Sequence, residues 1–159
     1  MLKVIVRPLT PEAFAPFGDV ITAPESKGRL YYEDGLSSAR PDAWASLSIT
    51  RTETAVSLPL VAKVLERHEF SSQSFVPLRK ASWLSIVAPH HANGGPDTKG
   101  ALAFLVSPGQ GVTYRANVWH HPLAVLEQPA EFAVFMWRNK TTTDEQFVDV
   151  EPFLVSRED

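Results

Sequence analysis

Five histidines are the chain's main means of moving protons near neutral pH, and four of them come as adjacent pairs, His90-His91 and His120-His121. His68 is the fifth. Imidazole titrates close to physiological pH, so it serves as acid or base, and its neutral form binds transition metals. His68 follows Glu66 by two positions in L-E-R-H, and residues two apart on a strand share a face. Gln73 then opens the run QSFVPL after a Ser-Ser turn. His120 lies in GVTYRANVWHHPL (111–123), behind the turn Pro108-Gly-Gln-Gly111. Consecutive strand side chains point to opposite faces, so His120 and His121 are not expected to work as one pair. His90 and His91 stand in PHHANGGPD (89–97), which reads as an exposed loop; they are expected to be solvated. Tyr114 and Trp119 flank the second pair, and aromatics there suit either core packing or a pocket wall.

The elements that must position these side chains are short. KVIVR (3–7), DVIT (19–22), LSITR (47–51), QSFVPL (73–78) and SWLSIVA (82–88) are apolar or alternating runs bounded by turn formers. ALAFLV (101–106), LAVLE (123–127), EFAVFMW (131–137) and EQFVDV (145–150) continue the series. Val, Ile, Phe and Trp dominate them, which is the strand signature. Their spacing is that of an all-β sandwich or barrel. PLVAKVLERH (59–68) has apolar spacing that also suits a helix, and it is assigned here as the approach to a strand. TPEAFAPFG (10–18) forms one helical turn, with Thr10 as N-cap and Pro11 at the first helical position. Arg67 and Glu69 alternate with Glu66 and His68 and are expected outside or in a dimer contact.

Composition limits the possible functions. The 159 residues are 44% hydrophobic and 21% charged, as expected of one globular domain spanning 1–159. A net charge of −3 without a basic cluster gives no reason to expect nucleic acid. There is no apolar run of about 20 residues to span a membrane as a helix. MLKVIVRPLTPEAF lacks the long apolar core of a secretory signal, so the cytoplasm is the expected location. The chain contains no cysteine, so disulfides, thiolate metal sites and cysteine nucleophiles are excluded.

Glu66-x-His68-x4-Gln73, followed by Arg115-Ala-Asn117-Val-Trp-His120, resembles the two metal-binding motifs of the cupins. Glu stands for the first His, Gln for the usual Glu, and Arg and Asn for the Pro and Gly of the second motif. The longer strings L-E-R-H-x3-S-Q-x-F-x-P-L and Q-G-V-x-Y-x-x-N-V-W-H-H-P-L are similar to the ureidoglycolate lyase family, a small cupin branch. V-R-P-L-T-x-E-A-F-A-P-F-G-D-V-I (6–21) and S-I-T-R (48–51) extend the resemblance over most of the chain. It implies a jelly-roll-like cupin barrel with one or two short helices. It also implies a homodimeric enzyme of allantoin degradation that splits (S)-ureidoglycolate into glyoxylate and urea. Some members are associated with a divalent metal such as nickel.

Under this resemblance Glu66, His68, His120 and Gln73 are the catalytic candidates, converging inside the barrel. His68 with His120 or His121 would transfer protons, and Glu66 and Gln73 would orient the ureido group. Glu66, His68 and His120 are also a two-histidine, one-carboxylate metal set. A carboxamide is a poor transition-metal ligand, so Gln73 leaves both a metal site and a metal-free site open. Arg51 is the candidate for the substrate carboxylate, because a guanidinium binds it with two parallel hydrogen bonds. Tyr114, Asn117, Trp119 and His121 complete the expected substrate contacts. A ureidoglycolate amidohydrolase that releases ammonia, and a cupin that binds a small acid without turning it over, fit the same residues.

Overall fold

A computed structural model describes residues 1–158. The strands are β1 (Leu2–Pro8), β2 (Gly18–Ile21), β3 (Trp44–Thr52), β4 (Leu60–His68), β5 (Gln73–Pro77) and β6 (Trp83–Ala88). They continue with β7 (Leu102–Val106), β8 (Gly111–Tyr114), β9 (Trp119–His120), β10 (Ala124–Val125), β11 (Ala130–Arg138) and β12 (Glu145–Ser156). The one α-helix among the described residues, α1 (Pro11–Phe14), begins as its sequence requires, with the Thr10 side chain accepting from the Ala13 N–H. A 3₁₀ turn covers Thr98–Gly100. No helix among the described residues is long and apolar enough to cross a membrane.

Two sheets divide the strands. One runs β10-β6-β7-β1-β12-β4-β9, and because β9 also pairs with β6, six of its strands close into a ring. The other is the open sheet β2-β8-β5-β11-β3. The segment 59–68 is the strand β4 and the ring's longest ladder joins it to β12. β12 runs past the expected end at 150, and its register slips between Asp149 and Phe153. Pro152 lies in that gap, and a proline has no N–H to give a ladder.

Period-two alternation makes two separate apolar cores. Leu84, Ile86 and Ala88 of β6 point into the ring, where they meet Val4, Leu65, Ala103, Trp119, Phe153 and Val155. The intervening Trp83 and Val87 face the other way, with Phe104 and Val106, and pack on Phe75, Val112, Phe132 and Val134 of the open sheet. Trp83 and Phe132 meet edge to face across this layer at 5.4 Å.

This layering corrects the expected direction of one side chain. The interior of the closed ring is apolar, and Trp119 occupies it. His120, the next residue on β9, therefore faces the layer between the sheets. Trp119 is a core residue there, 1% exposed, rather than a pocket wall. Trp119→Ala should lower the free energy of unfolding in urea by about 3–5 kcal/mol, the cost of emptying a core aromatic site.

Candidate active site

The inter-sheet layer is apolar except at one end. Glu66 and His120 are direct cross-strand partners on β4 and β9. Glu66 and His68 alternate with Leu65, which points into the ring, so both face the layer. Gln73 enters from the facing sheet, on the same side of β5 as Phe75, in register with Tyr114 of β8. All five are at most 9% exposed. Glu66, His68 and His120 each offer one ligand atom, and these lie within 4.8 Å of one another.

The protons in this cluster follow from its contacts. His120 Nδ1 lies 2.9 Å from the Val118 carbonyl, which can only accept, so Nδ1 carries a proton and Nε2 is the nitrogen turned to the cluster. That Nε2 stands 3.5 Å from Glu66 Oε1. The Tyr114 ring stacks on His120 at 4.1 Å and 10°, fixing the imidazole plane. The Tyr114 hydroxyl pairs with Ser85 at 2.8 Å, and burial raises its pKa far above neutral. Burial, reinforced by the nearby His120, pushes the His68 pKa below its usual value, which favours the neutral ring. Burial also opposes ionisation of Glu66, but the contact with His120 and the other imidazoles beside it outweigh this and hold its pKa below the ordinary carboxylate value. His68 Nε2, His120 Nε2 and Gln73 Oε1 are buried without a hydrogen-bond partner. Each such atom costs about 1–3 kcal/mol. Their proximity marks the place of a ligand, with unpartnered imidazole nitrogens beside a carboxylate.

A cavity of about 250 Å³ reaches His68 from the ends of β3, β11 and β12, lined by Arg40, Ser48, Met136, Arg138, Thr141 and Asp144 among others. A larger cavity of about 620 Å³ lies between Lys3, Leu58, Leu126 and Arg157 and contains none of the clustered residues. Chemistry, not size, assigns the site to the smaller one.

A family model described as ureidoglycolate lyase matches residues 1–157. The chain belongs to the ureidoglycolate lyase family. A relative from Pseudomonas syringae pv. syringae (strain B728a), named ureidoglycolate lyase, is 40% identical over 143 residues, covering 84% of this chain and 82% of its own. A second of that name, from Mesorhizobium japonicum, is 38% identical and covers 84% of this chain and 85% of its own. A third, from Stutzerimonas stutzeri (strain A1501), is 39% identical with 84% and 82% covered.

Not every residue singled out for the ureidoglycolate lyase site reaches it. Arg51 does not. It sits on the edge strand β3, five positions along from Ser46, which aligns through Met136 with Gln73. Its guanidinium is held at 2.6 Å by Glu131 and at 3.0 Å by Glu53, on the outer side of the sheet. Asn117 has a left-handed backbone, φ 70°, and its side chain accepts from Arg67 at 2.7 Å. It shapes the turn before β9, and its N–H donates to the His68 carbonyl. His121 is half-buried, with Nδ1 2.7 Å from the Pro122 carbonyl. In the 89–97 loop His91 is exposed as expected. His90 is also exposed, yet its Nε2 lies 2.7 Å from the Asn117 carbonyl, so it braces that same turn.

Sequence reasoning missed two residues. Asp144 is buried and accepts from the Phe70 N–H at 2.7 Å and from the Ser71 hydroxyl. It therefore fixes the turn between His68 and Gln73. Arg40 packs against it at 3.5 Å. Neither lies in a string that suggests a site; the only cue is the acid pair that ends T-T-T-D-E.

The donor set fits a divalent cation, since Glu66, His68 and His120 supply one carboxylate oxygen and imidazole lone pairs that nothing else uses. Asp144→Asn should destabilise the protein by about 2 kcal/mol or more, because a hydrogen bond to a charged group contributes about 1.5–3 kcal/mol. Urea unfolding of the variant would check this.

Proposed function

We propose that the protein cleaves ureidoglycolate into glyoxylate and urea at the cluster of Glu66, His68, Gln73 and His120. The observation that carries this reading is the set of three polar atoms, on His68, His120 and Gln73, buried without partners in a member of this family. The substrate carbon bears a hydroxyl, a carboxylate and a ureido nitrogen. A base removes the hydroxyl proton, the C–O electrons form the aldehyde carbonyl, and the C–N pair leaves with urea. An acid returns one proton to that nitrogen, so the reaction is an elimination without added water.

The residues are suited to these tasks. A buried imidazole nitrogen without a partner, on His68 or on His120 beside Glu66, takes the hydroxyl proton, and the imidazolium so formed returns a proton to the departing nitrogen. Neutral Tyr114 holds the His120 ring and does not itself transfer a proton, since its hydroxyl is bound to Ser85. Gln73, with a free carbonyl oxygen, accepts from the ureido N–H groups. A divalent cation held by Glu66, His68 and His120 would make these residues ligands instead of proton carriers, and would polarise a substrate oxygen and make its hydroxyl more acidic.

Incubation with ureidoglycolate, with and without a chelator, should release glyoxylate and urea in equal amounts. His120→Ala should lower the rate about 100- to 10,000-fold, the usual range for a general acid or base. Ammonia in place of urea would contradict the lyase reading, as would the absence of glyoxylate under both conditions. Loss of rate with chelator alone would show that the reaction needs a cation.

We also propose that two copies pair through the outer face of the open sheet. Leu47 and Ile49 project from β3 with 69% and 62% of their surface exposed, next to Val76. Arg51, Arg79, Glu53 and Glu131 border this patch with both signs of charge. A self-complementary face of this kind suits a twofold contact. Leu47→Lys together with Ile49→Lys should convert a dimer to a monomer in light scattering; an unchanged mass would contradict this interface.

A further inference from the structure

The two guanidinium groups that line the cavity beside His68 are not equivalent. Arg138 is exposed at the end of β11, whereas the Arg40 side chain is only 12% exposed. Burial desolvates a guanidinium, and such groups are ordinarily matched to a carboxylate by two hydrogen bonds of about 2.7–2.9 Å. Arg40 lacks that match. Its Nη1 reaches Thr143 Oγ1 at 3.3 Å, and its Nη2 reaches the Trp137 carbonyl at 3.3 Å and Asp144 at 3.5 Å. Its Nε is buried without a partner. Asp144 is not free to close the gap, because the Phe70 N–H and the Ser71 hydroxyl already hold its carboxylate. The other arginine first considered for an anion, Arg51, is paired with two glutamates outside the site.

Arg40 is thus a desolvated cation with donors to spare, on the wall of the cavity that leads to His68. We infer that Arg40 binds the carboxylate of the substrate and of the product glyoxylate. The inference rests on the reading of the reaction as ureidoglycolate cleavage, and it supplies the cation that this substrate needs and that the histidine motifs lack. Asp144 holds the turn that carries His68 and also touches Arg40, so one carboxylate keeps anion site and base in register. A substrate anchored at Arg40 presents its hydroxyl-bearing carbon toward His68. The uncharged ureido end is left for Gln73.

The test is calorimetric binding of glyoxylate to the unaltered protein and to Arg40→Gln, Arg40→Lys and Arg138→Gln, alongside steady-state kinetics on ureidoglycolate. Arg40→Gln should weaken glyoxylate binding about tenfold or more and raise KM similarly, with a smaller change in kcat, as expected for loss of a charged hydrogen-bonding partner. Arg40→Lys should restore part of both, since it keeps the charge without the planar fork. Arg138→Gln should stay within about threefold of the unaltered protein, as surface charges usually do. Circular dichroism checks folding, and if Arg40→Gln does not fold, Arg40→Lys carries the test through a several-fold loss. The inference is overturned if the unaltered protein does not bind glyoxylate, if the Arg40 variants bind it equally well, or if Arg138→Gln alone loses it. A protein that binds glyoxylate through Arg40 but forms none from ureidoglycolate would overturn the lyase reading and keep the anion site. Turnover with an unchanged KM in Arg40→Gln would do the reverse.

Discussion

Two imidazole nitrogens and a carboxamide oxygen are kept dry and without partners between two β-sheets, beside a single carboxylate. Unpaired polar atoms in an apolar layer oppose folding, so the surrounding packing has to hold them. Trp83, Phe75 and Phe132 form an interlocked aromatic group deeper in that layer. Tyr114 extends it to the site by stacking on His120, and Asp144 locks the turn that connects His68 to Gln73. The cluster is preformed, and its free lone pairs are the means by which it can recognise a ligand.

The closed ring explains how such a site stays rigid. Because β9 pairs with both β4 and β6, His120 is held from both sides, while Trp119 pairs with β6. Trp119 anchors the strand from within the ring, and Arg67 covers the indole at 4.6 Å. The same Arg67 holds Asn117, and His90 holds the Asn117 carbonyl. Three residues that face away from the site therefore define the turn that delivers His120 to it. The lowered pKa values of Glu66 and His68 are both consequences of this placement, the first from contact with His120 that outweighs burial and the second from burial itself.

Much of this was readable from the sequence because strand alternation is a local rule. Glu66 and His68 had to share a face, and His120 and His121 had to part. The short helix at Thr10 and the strand character of most apolar runs followed from equally local signals. The compartment was not readable, since only the pairing of β9 with two distant strands decides that Trp119 fills the ring and His120 the inter-sheet layer. Arg51 was misplaced for a related reason: a strand-end arginine looks the same in sequence whichever face of the sheet it takes. Arg40 and Asp144 are separated by over a hundred positions, and no spacing rule links them.

The central claim is that the free nitrogens of His68 and His120 are the contact points of a ligand. A crystal structure with glyoxylate and urea bound would test it most directly. The account predicts electron density between the two Nε2 atoms, with a ligand oxygen or a cation within bonding distance of both and the ureido nitrogens at Gln73. Ligand density elsewhere, with the two nitrogens bonded only to buried water or to each other's neighbours, would contradict it.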